Sequence, residues 1–232
     1  TDDIKILTDS ASEILSDRIL NNKSPKVLLY EEPAKRWWPD TWHESDRLQS
    51  YGSPITRLAI TSNSKQDSVT TPLERFNSIL RRQLLLNHGI NPVVENRLFK
   101  SKPLFLSGRK VIAEVKSAPM HSLLSLSNSE SHNFTAEVLL RNAANSWEPI
   151  LFARKLEDWL LSKNIPIANH NFVDGSGLSR DNRATTIGIS SLLWYMDQQK
   201  YSNFYKSSMA IIGRRGTLRN FISKSHINGK FY

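Results

Sequence analysis

The chain has 232 residues, and its 31 Lys and Arg against 22 Asp and Glu give a formal charge of +9. Hydrophobic residues make up 39% of the sequence, which is enough for a packed core and excludes wholesale disorder. The sequence contains no cysteine, which excludes disulfides, thiolate metal sites and cysteine nucleophiles. No apolar run approaches the roughly 20 residues that a membrane-spanning helix needs, so no transmembrane segment is predicted.

The excess of positive charge favours polyanionic partners such as nucleic acid, an anionic membrane or an anionic cell wall. The basic residues are scattered, however, and the densest cluster, Arg214, Arg215 and Arg219, is short. No helix-turn-helix, zinc-finger or RNA-recognition signature accompanies this cluster. A nucleic-acid partner is therefore not predicted.

Apolar spacing, alternation and turn residues predict the elements of the first half of the chain. In chain order these are a helix over 3–20, a strand over 26–30, an ordered loop over 31–52, a hairpin over 56–71 and a helix over 72–88. Three of the six Trp residues lie in the loop and are expected to anchor it. Pro72 suits the first turn of the second helix, and Gly89 suits its end.

The second half of the chain is predicted to be mainly helical. Its predicted elements are a strand over 110–116, helices over 119–127, 133–144 and 148–163, a strand within 165–173, and helices over 184–199 and 203–208. The whole pattern indicates an α/β or α+β fold in which helices dominate after residue 71. The sequence shows no internal repeat and no low-complexity tract.

Four segments in fixed order resemble the D-alanyl-D-alanine carboxypeptidases of the low-molecular-mass class C penicillin-binding proteins. They are YGSPITRLAI (51–60), SAPMHSLLSLSNSESHNFTAEVLLR (117–141), VDGSGLSRDNR (173–183) and SMAIIGRRGTLRNFI (208–222). The second holds an S-x-N motif, and the fourth is similar to the family's Gly-x-Asp-Gly-Thr-Leu region. The third is close to the family's Asp-Gly-Ser-Gly-Leu-Ser-Arg signature and is the most specific of the four.

The resemblance implies a penicillin-binding, transpeptidase-like (β-lactamase-like) domain over 70–232, incomplete at both motif-bearing ends. Residues 1–69 would be the remainder of an inserted, mostly β domain. The implied function is that of a serine-type D-Ala-D-Ala carboxypeptidase, which cleaves peptidoglycan stem peptides through an acyl-enzyme. Its implied location is periplasmic or extracytoplasmic, and β-lactams are the expected ligands of the complete enzyme.

Ser131 and Asn133 match the S-x-N motif of the resembled family and are the predicted catalytic residues. The spacing of two on a turn between helices lets both side chains face one cleft. A Ser hydroxyl both donates and accepts hydrogen bonds, which suits a proton relay to the leaving amine. The competing interpretation is that Ser131 caps the helix that begins near Phe134.

Arg180 and Ser176 are the predicted substrate-binding residues of the DGSGLSR segment. A planar guanidinium near the cleft suits a carboxylate of the stem peptide, as the resemblance suggests, and the alternative role for Arg180 is a structural ion pair. Asp174, Gly175, Ser176 and Gly177 are expected to shape a tight turn beside the site rather than to take part in chemistry. We also expect Ser131, Asn133 and Arg180 to converge on one cleft.

The nucleophile is not found in a suitable context. Two S-x-x-K strings occur, at 62–65 and 107–110, but both lie in predicted turns, whereas the chemistry needs the Ser at the start of a buried helix. The family's S-x-x-K would precede Thr1, and NGKFY (228–232) resembles the approach to its K-T-G strand. We therefore expect a fragment that is inactive by itself and forms no adduct with penicillin.

Two positions depart from the family pattern. His132 stands where the family usually has Asp or Asn, and Arg215 replaces the usual Asp of the Gly-x-Asp-Gly-Thr region. The His residues show no spacing typical of a metal site, and neither GSG (175–177) nor GRRG (213–216) forms a phosphate-binding loop. No metal or cofactor is predicted.

A second function remains open on the sequence alone. A catalytically dead module could use the cleft around Ser131 and Arg180, together with its positive charge, to bind peptidoglycan or a partner protein. A nucleic-acid binder is a distant third interpretation. The DNA on both sides of the gene distinguishes a truncated enzyme, with in-frame S-x-x-K and K-T-G motifs, from the dead module.

Overall fold

The computed structural model describes residues 2–21, 25–58, 72–99 and 111–221. These residues belong to two compact units, each built from two stretches of chain. The first unit comprises the described residues of Thr1–Trp37 and Ser53–Ser117, and the second comprises those of Trp38–Gly52 and Ala118–Tyr232.

The helices and strands follow in chain order. They are α1 (Asp2–Leu20), β1 (Lys26–Glu31), α2 (Glu44–Arg47), α3 (Pro72–His88), β2 (Val93–Leu98), α4 (Met120–Asn128), α5 (Asn133–Ala143), α6 (Pro149–Ser162), α7 (Thr186–Asp197) and α8 (Ser202–Ser207). Among the described residues, no helix is both long and apolar enough to cross a bilayer.

The first unit packs α1 and α3 beside a two-stranded parallel sheet. Strand β1 pairs with β2, with Lys26 opposite Val93 at the start of the register. Phe76, Leu80 and Leu84 are spaced by four residues and therefore form one buried stripe on α3. The rest of this core consists of Ile4, Leu15, Leu29 and Ile90.

Two adjacent glutamates are buried where β1 ends. Glu31 accepts hydrogen bonds from the backbone N–H groups of Glu32, Arg57 and Leu58, at 2.7, 2.8 and 3.0 Å. Glu32 accepts from the guanidinium groups of Arg36 and Arg57, at 2.9 and 2.5 Å. Burial raises the pKa of Glu31, although the three backbone donors oppose the shift. These contacts fasten residues 57 and 58 to the end of the strand.

The second unit is helical. Helix α4 packs against α5 and α8, and α7 also packs against α8. The Trp38 indole donates to the Gly52 carbonyl oxygen at 2.8 Å, and the Arg47 guanidinium lies 5.7 Å from the Trp38 ring centroid. The segment with the three tryptophans is thus anchored by its aromatic side chains, as predicted.

The predicted helices are confirmed, with differences of a few residues at their ends. The strand predicted over 110–116 is wrong, because residues 111–117 contain no strand, and the strand predicted within 165–173 is reduced to one bridge between Asn171 and Arg183. Strand β2 was not predicted. The hairpin predicted over 56–71 lies mainly outside the described residues.

The described elements of residues 1–69 are chiefly one long helix, α1, and one strand, β1. This part of the chain therefore contains more helix than the expected mostly β domain. The predicted division into 1–69 and 70–232 concerns ancestry and stays a prediction. The compact units follow a different division, since α3 belongs to the first of them.

Candidate active site

The S-x-N motif forms the tight turn between α4 and α5. Ser131 has a positive φ of 55°, a conformation that few residues other than glycine adopt, and its side chain is exposed. His132, not Ser131, is the N-cap residue of α5, so the interpretation of Ser131 as the helix cap is wrong. The His132 Nδ1 atom lies 2.7 Å from the Thr135 hydroxyl, which turns the imidazole toward its own helix.

The segment around Gly216 packs against this turn and contacts it through a hydrogen bond and an ion pair. The Thr217 N–H donates to the carbonyl oxygen of Ser129 at 2.9 Å, and Glu130 forms an ion pair with Arg219. A Cβ atom added to Gly216 would lie 2.2 Å from the same Ser129 oxygen, and the φ of Gly216 is +72°. Only glycine fits there, which accounts physically for the glycine of this segment.

The DGSGLSR segment forms a loop around the carboxylate of Asp174, which is 5% exposed. Its two oxygens accept hydrogen bonds from four donors. These are the N–H groups of Gly177 and Ser179, the Trp42 indole and the Asn182 amide, at 2.8, 2.6, 2.8 and 2.7 Å. The expectation that Asp174 shapes the turn is confirmed.

A second buried carboxylate joins this loop to α5. Glu137 lies one helical turn after Asn133 and is 0% exposed. Its Oε1 atom accepts the N–H groups of Gly175 and Ser176, at 2.8 and 2.9 Å. Burial and the nearby Asp174 charge raise the pKa of Glu137 to about 7, and the Arg141 charge acts in the opposite direction.

Asn133 and Arg180 are connected through two residues of the segment 38–52. The Asn133 side-chain amide donates to the Tyr51 carbonyl oxygen at 3.1 Å, and the Tyr51 hydroxyl donates to Asp46 Oδ1 at 3.1 Å. The other Asp46 oxygen lies 3.8 Å from Arg180 Nη2. These contacts link Asn133 to Arg180 within the second unit. The expected convergence of Ser131, Asn133 and Arg180 on one cleft stays a prediction.

At the end of this connection, an exposed cation, Arg180, lies beside a largely buried anion, Asp46. The Arg180 side chain is 77% exposed, whereas that of Asp46 is 12% exposed. The hydrogen bond to Asp46 raises the pKa of the Tyr51 phenol, so this hydroxyl remains a donor over the whole physiological range. The long Arg180–Asp46 distance leaves guanidinium N–H groups directed at solvent.

Two further predicted residues have local roles. The Ser176 hydroxyl accepts the N–H of Leu178 at 3.4 Å, so it is turned toward its own loop. Arg215 donates from Nε and Nη2 to the Met209 carbonyl oxygen, at 3.1 and 2.6 Å. The cation that departs from the family pattern is thus used to close its own turn.

Asp46, Tyr51 and Glu137 were not singled out by sequence reasoning. Tyr51 opens a segment that resembles the family, but nothing in its spacing connects it with Asn133. A Glu placed four residues after Asn133, between apolar neighbours on α5, was the available signal of a buried polar contact.

The S-x-x-K strings at 62–65 and 107–110 and the segment 228–232 lie outside the described residues. The expectation that neither string supplies the nucleophile therefore stays a prediction. Among the residues that the structure describes, no cluster of His, Asp or Glu side chains is arranged to hold a metal ion.

The fold is similar to that of known crystal structures. Two crystal structures of penicillin binding protein 4 (dacB) from Haemophilus influenzae, one complexed with a novel β-lactam, match the chain with TM-scores of 0.60 and 0.59 at 23% sequence identity. The matches cover 70% and 71% of this chain but only 38% and 37% of those proteins. The chain thus has the fold of part of a penicillin-binding protein and spans well under half of its solved neighbours.

The sequence defines the family. Residues 61–231 match the model of the D-Ala-D-Ala carboxypeptidase 3 (S13) family. The chain belongs to this family, as the four resembling segments predicted. No curated protein matches the chain significantly.

Proposed function

We propose that this chain is the substrate-binding part of a serine-type D-Ala-D-Ala carboxypeptidase that acts on peptidoglycan stem peptides through an acyl-enzyme. The observation that carries the proposal is the connection from Asn133 through Tyr51 and Asp46 to Arg180. It joins the S-x-N motif to the DGSGLSR signature in a chain that belongs to a carboxypeptidase family.

Ser131 and Asn133 are the proposed catalytic residues. The exposed Ser131 hydroxyl, on its strained turn, can pass a proton to the leaving D-Ala amine, because a hydroxyl donates and accepts at the same time. The Asn133 Nδ2 group is held by Tyr51, which directs the amide. Its Oδ1 atom is then the acceptor for a peptide N–H or for the ammonium of a catalytic lysine.

Arg180 is the proposed anchor for the peptide. Its exposed guanidinium can form a bidentate pair with a carboxylate. Asp46 beside it offers an acceptor for an ammonium group, so the two side chains together are complementary to an amino-acid end that carries both charges. Ser176 is proposed to contribute through its position in the same loop, although its hydroxyl contacts Leu178.

The proposal sets the location and the partners. Peptidoglycan lies outside the cytoplasmic membrane, so the protein would act in the periplasm or another extracytoplasmic space. The formal charge of +9 would attract it to an anionic wall. β-Lactams would be ligands of the complete enzyme, and the reaction would need no metal or other cofactor.

The binding role is tested by calorimetric titration of the chain with a stem pentapeptide that ends in D-Ala-D-Ala. We expect Arg180→Ala to weaken binding at least about tenfold, because a charge-assisted bidentate pair contributes about 1.5–3 kcal/mol. Arg154→Ala is the matched control, since it removes the same charge from an exposed position on α6. Equal affinities of the two variants would contradict the proposal.

The catalytic role of this chain is tested separately with a fluorescent penicillin. We expect no labelled band that survives boiling, because acylation needs an activated serine. A stable band that is lost on Ser62→Ala or Ser107→Ala would show that one of these strings is the nucleophile. If binding is present and the flanking DNA contains stop codons instead of in-frame S-x-x-K and K-T-G motifs, the dead binding module is the better description.

A further inference from the structure

Glu137 has no place in the S-x-N motif, yet it links that motif to the loop of Arg180. It lies four residues after Asn133, so both side chains project from the same face of α5. A single oxygen, Oε1, accepts two consecutive backbone N–H groups, those of Gly175 and Ser176. A carboxylate held by two adjacent amides fixes both the position and the orientation of the loop backbone.

The loop also lies close to the backbone of α5. A Cβ atom added to Gly175 would lie 3.0 Å from Leu140 Cβ and 3.1 Å from the Ala136 carbonyl oxygen. Both contacts are on α5, on either side of Glu137. The loop is therefore seated directly on the helix, and Glu137 is the polar group at the centre of that contact.

The charges around Glu137 do not balance. Burial and the charge of Asp174, a residue of the loop, act against the ionisation of Glu137, whereas Arg141, one turn further along α5, and the two loop amides favour it. The Arg141 guanidinium lies over the rings of Trp147 and Phe152, at 5.3 and 5.7 Å from their centroids. The second oxygen, Oε2, accepts no hydrogen bond from the described residues. An anion there would be incompletely satisfied, and burying it is costly.

We propose that Glu137 is a positioning residue that holds the loop of Arg180 against α5 in its protonated form and releases the loop when the proton is lost. The neutral acid keeps an oxygen for the two loop amides and avoids a second negative charge next to Asp174. The ionised acid restores that charge without a full set of donors. The proposal deepens the proposed function and rests on it only for the meaning of Arg180.

The direction of the effect follows from proton linkage. Burial raises the pKa of Glu137 from its usual 4.5 to about 7. The closed loop thus holds the proton more tightly than the open loop, so closure is most favourable below pH 4.5 and weakens as the pH rises through 7. A shift of this size corresponds to a fall of at least about tenfold in the closed-to-open ratio between pH 5.5 and 8.5.

The test is amide hydrogen exchange of Gly175 and Ser176, expressed as protection factors so that the intrinsic pH dependence of exchange is removed. The unchanged chain should lose at least about tenfold in protection between pH 5.5 and 8.5. Glu137→Gln keeps the accepting oxygen but cannot ionise, so its protection should be independent of pH. Glu137→Leu removes the acceptor and should lose protection at every pH.

Asp158→Asn is the control, because it removes one negative charge from an exposed position on α6 and should keep the original profile. If Glu137→Gln retains the pH dependence, or if Glu137→Leu stays protected while circular dichroism shows it folded, the proposal is overturned. If Glu137→Leu fails to fold, the Gln variant alone decides. Peptide titration separates the two proposals: loss of binding only in Arg180→Ala would leave the proposed function standing without a role for Glu137.

Discussion

Each of the two units buries a pair of carboxylates, and the two pairs are satisfied in different ways. In the first unit, Glu32 is paired with Arg36 and Arg57, while its neighbour Glu31 accepts three backbone N–H groups. In the second unit, the donors to Asp174 and Glu137 are backbone N–H groups, an indole and an amide.

The difference shows what each pair is for. Two guanidinium groups match the charge of Glu32, so the first pair joins two stretches of chain with little residual charge. Neutral donors shape a loop around Asp174 but leave its charge in place, and Glu137 beside it becomes difficult to ionise. The first arrangement stabilises the fold, and the second also places the loop that carries Arg180. Burial makes both pairs sensitive to pH, through the raised pKa of Glu31 in the first and of Glu137 in the second.

The largest effect should come from Asp174→Ala. It leaves four donors without their acceptor, and we expect a loss of about 3–5 kcal/mol in the free energy of unfolding, measured in urea. Asp181→Ala, an exposed carboxylate of the same loop, should cost less than about 0.5 kcal/mol. Similar costs for the two variants would mean that the loop is not organised by Asp174.

Glu31→Ala should be the next most destabilising change. Three backbone N–H groups lose their acceptor, and we expect a loss of about 2–4 kcal/mol in the free energy of unfolding. Glu13→Ala, at an exposed position of α1, should change it by less than about 0.5 kcal/mol. If Glu31→Ala lowers the free energy of unfolding no more than Glu13→Ala does, the hydrogen bonds to Glu31 do not stabilise the first unit.

The pH profile of stability should distinguish the two pairs. Burial raises the folded-state pKa of both Glu31 and Glu137, to about 7 for Glu137. Each therefore contributes stability that is complete below the usual value of 4.5 and is lost as the pH rises. Between pH 5 and 8 we expect a loss of about 2–3 kcal/mol that Glu137→Gln largely abolishes. If Glu31→Gln abolishes more of this pH-dependent loss of stability than Glu137→Gln does, Glu31 and not Glu137 is its main source.

The helices could be predicted because their signals are local. Apolar residues one turn apart, Pro72 at a helix start and Gly89 at a helix end lie within a few positions of each other in sequence. Strand β2 has no such signal: it exists because β1, more than 60 positions earlier, pairs with it in parallel. The alternating polar and apolar residues over 110–116 predicted a strand, but the described residues of this segment have no partner strand to pair with.

The candidate site divides in the same way. Ser131, Asn133 and Arg180 could be identified because they stand in motifs. Asp46 and Glu137 could not, since each acts through a contact that only the fold creates, to Arg180 in one case and to the loop amides in the other. A motif identifies candidate ligand-binding residues, but not the residues that contact them and hold them in place.

The most direct test of the account is a two-dimensional NMR titration of the chain with the stem pentapeptide. Arg180→Ala should leave the free energy of unfolding within about 0.5 kcal/mol, because its side chain is exposed, so the variant is a fair comparison. We expect the amide signals of residues 131–133, Tyr51 and Arg180 to shift together, with one saturation midpoint. In Arg180→Ala the signals of residues 131–133 and Tyr51 should not shift at the peptide concentrations that saturate the unchanged chain. Shifts confined to a different surface, or unchanged in the variant, would contradict the claim that the S-x-N turn and the loop of Arg180 form one binding site.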